Sequence, residues 1–145
     1  NRSNYAANGL LSLPNDPTHM SIYGTEAYYV GPDSRVRRFS YRVDGFVSVQ
    51  AGKEGGFLET KPLTFSGKQL EVNCVTGDGG SLVVTLEDEK GQPIKGFKSK
   101  PIRGDFVDHV VKWNSAGDVG SLAGKVVRLR FQLKNADLYS IRFSP

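Results

Sequence analysis

Residues 126–145 read VVRLRFQLKNADLYSIRFSP, and their apolar and polar positions alternate with a period of two. Val127, Leu129, Phe131 and Leu133 fall on one side; Arg128, Arg130, Gln132 and Lys134 fall on the other. Successive side chains of a strand point to opposite faces, so the first set belongs to a core and the second to solvent or a partner. After NADL at 135–138 the alternation resumes with Tyr139, Ile141 and Phe143, and Arg142 on the opposite side. The short connection predicts an antiparallel hairpin, which would bring Arg128, Arg130, Lys134 and Arg142 onto one face.

The same period recurs along the chain. Strands are expected at 21–23, 35–43, 46–50, 57–61, 69–75, 81–87, 106–113, 125–134 and 138–143, with a weaker one at 93–95. SGK at 66–68, GDGG at 77–80 and KGQP at 90–93 supply turn chemistry between them. The best helical stretch, DVGSLAG at 118–124, is too short and Gly-rich for more than one turn. Without crossover helices, parallel units are excluded, and an all-β fold follows: an antiparallel β-sandwich of the jelly-roll type with little or no helix. Residues 1–34 differ in texture, broken by Asn, Pro and Gly and carrying Tyr5, Tyr23, Tyr28 and Tyr29. They read as a lead-in or linker from a preceding domain, with the sandwich over 35–145.

Composition adds bounds. At 145 residues, with 38% hydrophobic and 23% charged content, the chain can bury a core without staples. Its net charge of +4 favours an anionic partner only mildly. The basic residues lack the concentration that nucleic-acid binding requires, so that partner is not expected. No apolar stretch approaches membrane-spanning length and no signal-peptide pattern is present, so a membrane partner is not expected either. Cys74 is the only cysteine, sits in an alternating run and reads as a buried thiol. The chain begins NRS rather than with Met, which reads as processing or excision from a longer protein; NRS also matches a glycosylation sequon.

Catalytic chemistry is thin. His19 and His109 have no Gly-x-Ser-x-Gly elbow beside them, and His109 lies in phase with Val107, Val111 and Trp113, as a packed or surface histidine would. The densest acidic group, Glu87, Asp88 and Glu89, leads into Lys90-Gly91 and reads as a solvated hairpin tip rather than a glycosidase carboxylate pair. No cofactor is expected; Asp44, Asp105 and Asp137, at turns between strands, are candidates only for a structural calcium of the kind that sandwich loops hold. Trp113 is the candidate stacking platform for a sugar ring, with a core position as its other reading. For the arginines two readings stand: contacts to carboxylate or sulfate groups, or a solvated face paired with Glu and Asp.

Several blocks resemble the C-terminal β-sandwich module of bacterial proteins related to glycoside hydrolase family 32. They are RRFSYRVDGFVSV at 37–49, GFLETKPL at 56–63, PIKGF at 93–97, Gly104-Asp105, LAGKVVRLRF at 122–131 and ADLYS at 136–140. YGTEAYY at 23–29 resembles the last stretch of the β-propeller that precedes such modules. The resemblance implies an accessory domain in a secreted or periplasmic bacterial enzyme, with the adjacent catalytic domain as a partner and no catalytic residues of its own.

Together these readings lead to a non-catalytic carbohydrate-binding module whose partner is a polysaccharide, acidic or sulfated. Trp113, Arg128, Arg130, Lys134 and Arg142 are its expected contacts. The first alternative is a structural accessory domain that packs on the propeller, with apolar surface left uncovered in the isolated chain. The second is a free-standing hydrolase or lyase, which needs convergent carboxylates in a cleft.

Overall fold

The computed structural model describes residues 3–28 and 31–145, so Asn1 and Arg2 of the sequon, and Tyr29, lie outside the described residues. Strands dominate the described chain, with single 3-10 turns at Gly31–Asp33 and Gly120–Leu122. The chain divides into two compact units, Asn1–Phe46 and Val47–Pro145.

The first unit is one antiparallel sheet. Its central strand β3 (Asp16–Tyr28) pairs on one edge with β1 (Ser3–Ala6) and β2 (Leu11–Leu13), and on the other with β4 (Arg35–Arg42). The β3–β4 register runs from His19↔Arg42 to Glu26↔Arg35. β4 thus has β3 as its hydrogen-bonding partner, and the division between the two compact units falls after Phe46. Within the stretch read as a lead-in, Ser3–Ala6, Leu11–Leu13 and Asp16–Tyr28 are strands. Ser21, Gly24 and Ala27 are buried, but Tyr5, Leu11, Tyr23, Val36, Tyr41 and Phe46 are exposed.

The second unit is organised by two long strands, β7 (Gln69–Glu87) and β10 (Arg128–Ser144). They pair from Arg128↔Glu87 to Ser144↔Gln69. Here the structure departs from two expectations. GDGG at 77–80 does not reverse the chain, and 128–144 is one strand rather than a hairpin. Both strands bend at the same place, where the register steps from Lys134↔Ser81 to Ala136↔Thr76. Asn135 adopts φ 42° and donates from Nδ2 to the Asp78 carbonyl at 3.1 Å. A Cβ on Gly77 would collide with the Asn135 side-chain amide, and one on Gly80 with the carbonyls of Asn135 and Lys134. The glycines are therefore what lets the two strands fold over together.

The bend makes two limbs. Along the first, β6 (Gly56–Glu59) joins β10 and β8 (Pro93–Lys98) joins β7. Along the second, β5 (Val49–Ala51) joins β10 and β9 (Asp105–Val110) joins β7. The alternating residues Leu82, Val84, Leu86, Leu129, Phe131 and Leu133 of the first limb share one core with Leu70, Val72, Cys74, Ala136 and Leu138 of the second. This is the antiparallel sandwich, made by strands that turn a corner and switch layers. A second register step at Leu138/Ser140 sets the closing alternation. Ala136, expected in the connection, and Leu138, expected to open a strand, are buried, while Ile141 and Phe143 are partly buried against the core. Phe143 stacks on Phe65 with ring centroids 4.0 Å apart.

Candidate functional site

Residues opposite one another across a strand pair share a face, so the outer surface of the first limb can be read from register. Arg130 lies between Thr85 of β7 and Glu59 of β6; Gln132 lies between Val83 and Phe57. Arg128 is opposite Glu87, and β8 sets Lys98 beside Thr85 and Pro93 beside Glu87. Between β10 and β8 this surface holds an open cavity of about 480 Å³, lined by Thr85, Glu87, Lys95, Lys98, Arg130 and Gln132 among others. Gly96, at φ 91°, carries the β8 backbone along its wall. Asn114 and Ser115 add amide and hydroxyl groups to the rim.

Three cations of this groove differ in their engagement. The Arg130 guanidinium lies 4.2 Å over the ring of Phe57, which is 63% exposed, and its Nη1 is 3.8 Å from Glu59. Lys95 and Lys98 are exposed. Arg128 is held outside the groove by Glu59 at 3.4 Å and by the carbonyls of Glu89 and Thr60.

Glu87 stands apart. It is 3% exposed, and its Oε2 has no hydrogen-bond partner among the described residues. Burial pushes its carboxyl above the usual range, and the charges of Glu59 and Asp88 push the same way against Arg130 and Arg128. The expectation of a solvated hairpin tip at 87–89 is thus corrected for Glu87. The tip begins at Asp88, whose Oδ1 accepts from the backbone N–H of Lys90 and Gln92, each at 2.9 Å.

The expected contacts separate. Trp113 is 6% exposed and meets Phe97 edge-on, with ring centroids 5.8 Å apart. It takes the core position and presents no free face. Arg142 lies on the other limb, where it is paired with Glu71, because β10 is one strand and not a hairpin. Ser144 first and Arg142 second hold the Glu71 carboxyl below its usual range by hydrogen bonding. Lys134 is exposed at the bend, opposite Ser81. Of the expected set, Arg130 lines the groove and Arg128 borders it.

The carboxylates named as metal candidates form no cluster. Asp105 and Asp137 flank Val75 on opposite sides of β7, and Asp137 accepts from Ser48 at 2.8 Å and from Gln50 at 3.5 Å. Asp44 follows β4 in the first unit at φ 49°. No group of three or more His, Cys, Asp or Glu side chains able to hold a metal ion occurs among the described residues. His109 packs on Phe106 at 4.5 Å, and burial together with Lys112 lowers its pKa. His19 hydrogen bonds Asp16 and Thr18 in the first unit.

The sequence does not single out Phe57, Lys95 or Lys98, places Gln132 only on the outward row and reads Glu87 as solvated. Their convergence needs the strand order β6-β10-β7-β8, which no local pattern encodes. No helix among the described residues is long and apolar enough to cross a membrane, which says nothing of a β-barrel. No family model matches the chain, and no curated protein or solved structure matches it either.

Proposed function

We propose that this chain is a non-catalytic carbohydrate-binding module that holds an acidic or sulfated polysaccharide on the outer face of the first limb. The observation that carries the reading is the groove beside β8. There Lys95, Lys98 and Arg130 converge with the amides of Gln132 and Asn114, next to the exposed ring of Phe57. Cations supply attraction to carboxylate or sulfate, amides and hydroxyls match sugar hydroxyls, and a flat ring excludes water from a pyranose face. Phe57 replaces Trp113 as the stacking residue. The family resemblance adds the proposed context, a secreted or periplasmic bacterial polysaccharide-degrading enzyme whose catalytic domain adjoins this module.

Affinity electrophoresis in gels containing polygalacturonate, dextran sulfate or neutral dextran tests it. Retardation by the two anionic polymers is expected, weakening with salt. The Lys95→Ala/Lys98→Ala and Arg130→Ala variants should lose most of it. Equal migration in all gels would sink the reading.

The exposed Tyr5, Tyr23, Tyr28, Tyr41 and Phe46 of the first unit favour a second reading, a structural accessory domain with no ligand of its own. It predicts that alanines at Tyr5, Tyr23 and Tyr28 abolish association with the adjoining catalytic domain in sedimentation. Glycan retention would then be absent in every variant and in the parent.

A further inference from the structure

We propose that Glu87 recognises the anionic group of the polysaccharide as a neutral carboxylic acid, donating its O–H to a carboxylate or sulfate oxygen seated between Lys95, Lys98 and Arg130. The inference rests on the binding-module reading and names what the groove selects. Its ground is geometric. Glu87 lines the cavity, is almost fully buried, and leaves Oε2 without a hydrogen bond among the described residues. Buried side-chain oxygens are normally satisfied, so an orphan oxygen on a residue that lines a cavity marks a carboxyl that a ligand can engage.

The groups facing Glu87 decide its form. From β10 come Arg128 and Arg130, which share the single carboxylate of Glu59 of β6 and still favour the ionised form of Glu87. From its own strand end come Asp88 and the exposed Glu89 and Lys90. From β8, Lys95 and Lys98 line the same cavity. Burial is the main resistance to its ionisation, and the carboxylates of Glu59 and Asp88 add to it against the pull of Arg130 and Arg128. A neutral acid can donate to an anion; an ionised one repels it. Proton and anionic sugar thus bind together, and affinity falls as pH rises past the Glu87 titration.

Binding of oligogalacturonate and of a sulfated oligosaccharide is measured by calorimetry from about pH 5 to about pH 8, where lysine and arginine stay charged. His19 and His109 remain in every variant, so the difference between proteins isolates Glu87. For the parent protein, Kd should rise by up to about tenfold per pH unit above the Glu87 titration. In Glu87→Gln, which keeps the shape and a donor, Kd should stay flat, and Glu87→Leu should bind weakly throughout. The oligogalacturonate and sulfated arms distinguish a uronate from a sulfate ester as the anion. Carboxyl NMR of the parent adds a readout independent of variant folding, since saturating ligand should move the Glu87 titration upward. Parallel pH profiles, or a Glu87 titration that stays put or moves down, would overturn this inference alone. Absence of binding to either ligand at every pH overturns it together with the binding-module reading.

Discussion

The sheet of residues 1–46 and the sheet of residues 47–145 are built from the same antiparallel pairing, yet they bury different things. In the first, the buried residues are Ser21, Gly24 and Ala27, and the large rings of Tyr5, Tyr23 and Tyr41 stay exposed. In the second, two bent strands close over Phe131, Leu129, Leu82 and Leu86, each at or near complete burial. A flat sheet has two faces and needs cover for at least one, whereas a strand pair that turns a corner covers itself. The stabilising burial should therefore be concentrated in the second unit.

The sharpest way to break that contrast is a pair of truncations. Phe131→Ala should lower unfolding free energy by about 3–5 kcal/mol and Ile22→Ala by no more than about 1 kcal/mol in urea titrations. Equal losses would mean the first unit owns a core of comparable weight. Trp113→Ala belongs with Phe131, at about 3–5 kcal/mol, whereas Phe57→Ala should leave stability within about 0.5 kcal/mol and weaken glycan retention. A stable Trp113→Ala protein that loses glycan would restore Trp113 as a ligand contact.

The corner itself comes next. Gly80→Val places side-chain atoms against the Asn135 and Lys134 carbonyls and should destabilise by roughly 1–3 kcal/mol, read from the thermal midpoint. A neutral result would show that the bend has slack.

Smaller effects come from the carboxyls. Glu87 is raised by burial, so the stability it contributes is present at acid pH and is lost as pH rises through its folded value. Glu87→Gln should therefore match the parent at acid pH and exceed it at neutral pH; a constant offset across pH would contradict the burial argument. Glu71 has the opposite sign. Its lowered carboxyl contributes stability above the unfolded value that is lost as pH falls. Arg142→Ala, at an exposed side chain, should change stability by less than about 1 kcal/mol and shrink that acid-side loss. Unchanged acid unfolding would leave Ser144 as the sole anchor of Glu71.

Legibility follows from the range of each interaction. Leu129, Phe131 and Leu133 could be assigned to the core because a strand enforces period two regardless of its neighbours. NADL at 135–138 and GDGG at 77–80 could not be read correctly. A positive φ at Asn135 and a run of glycines permit either a reversal or a bend, and only continuous β7–β10 pairing selects the bend. Arg142 was grouped with Arg128 and Arg130 on the strength of that misread reversal. Glu87 reads as solvated from its acidic neighbours because its cross-strand partners, Arg128 of β10 and Pro93 of β8, are not visible in the local sequence.

By itself, then, the sequence determined an all-β chain, the inward residues of its long strands and the outward row of cations, since these depend on backbone geometry and side-chain polarity alone. Tertiary structure decided which cations remain together, which aromatic ring is exposed and which carboxyl oxygen is left without a hydrogen bond among the described residues. Those properties belong to neighbours that are distant in the chain, brought side by side by the strand order β6-β10-β7-β8 and by one shared bend.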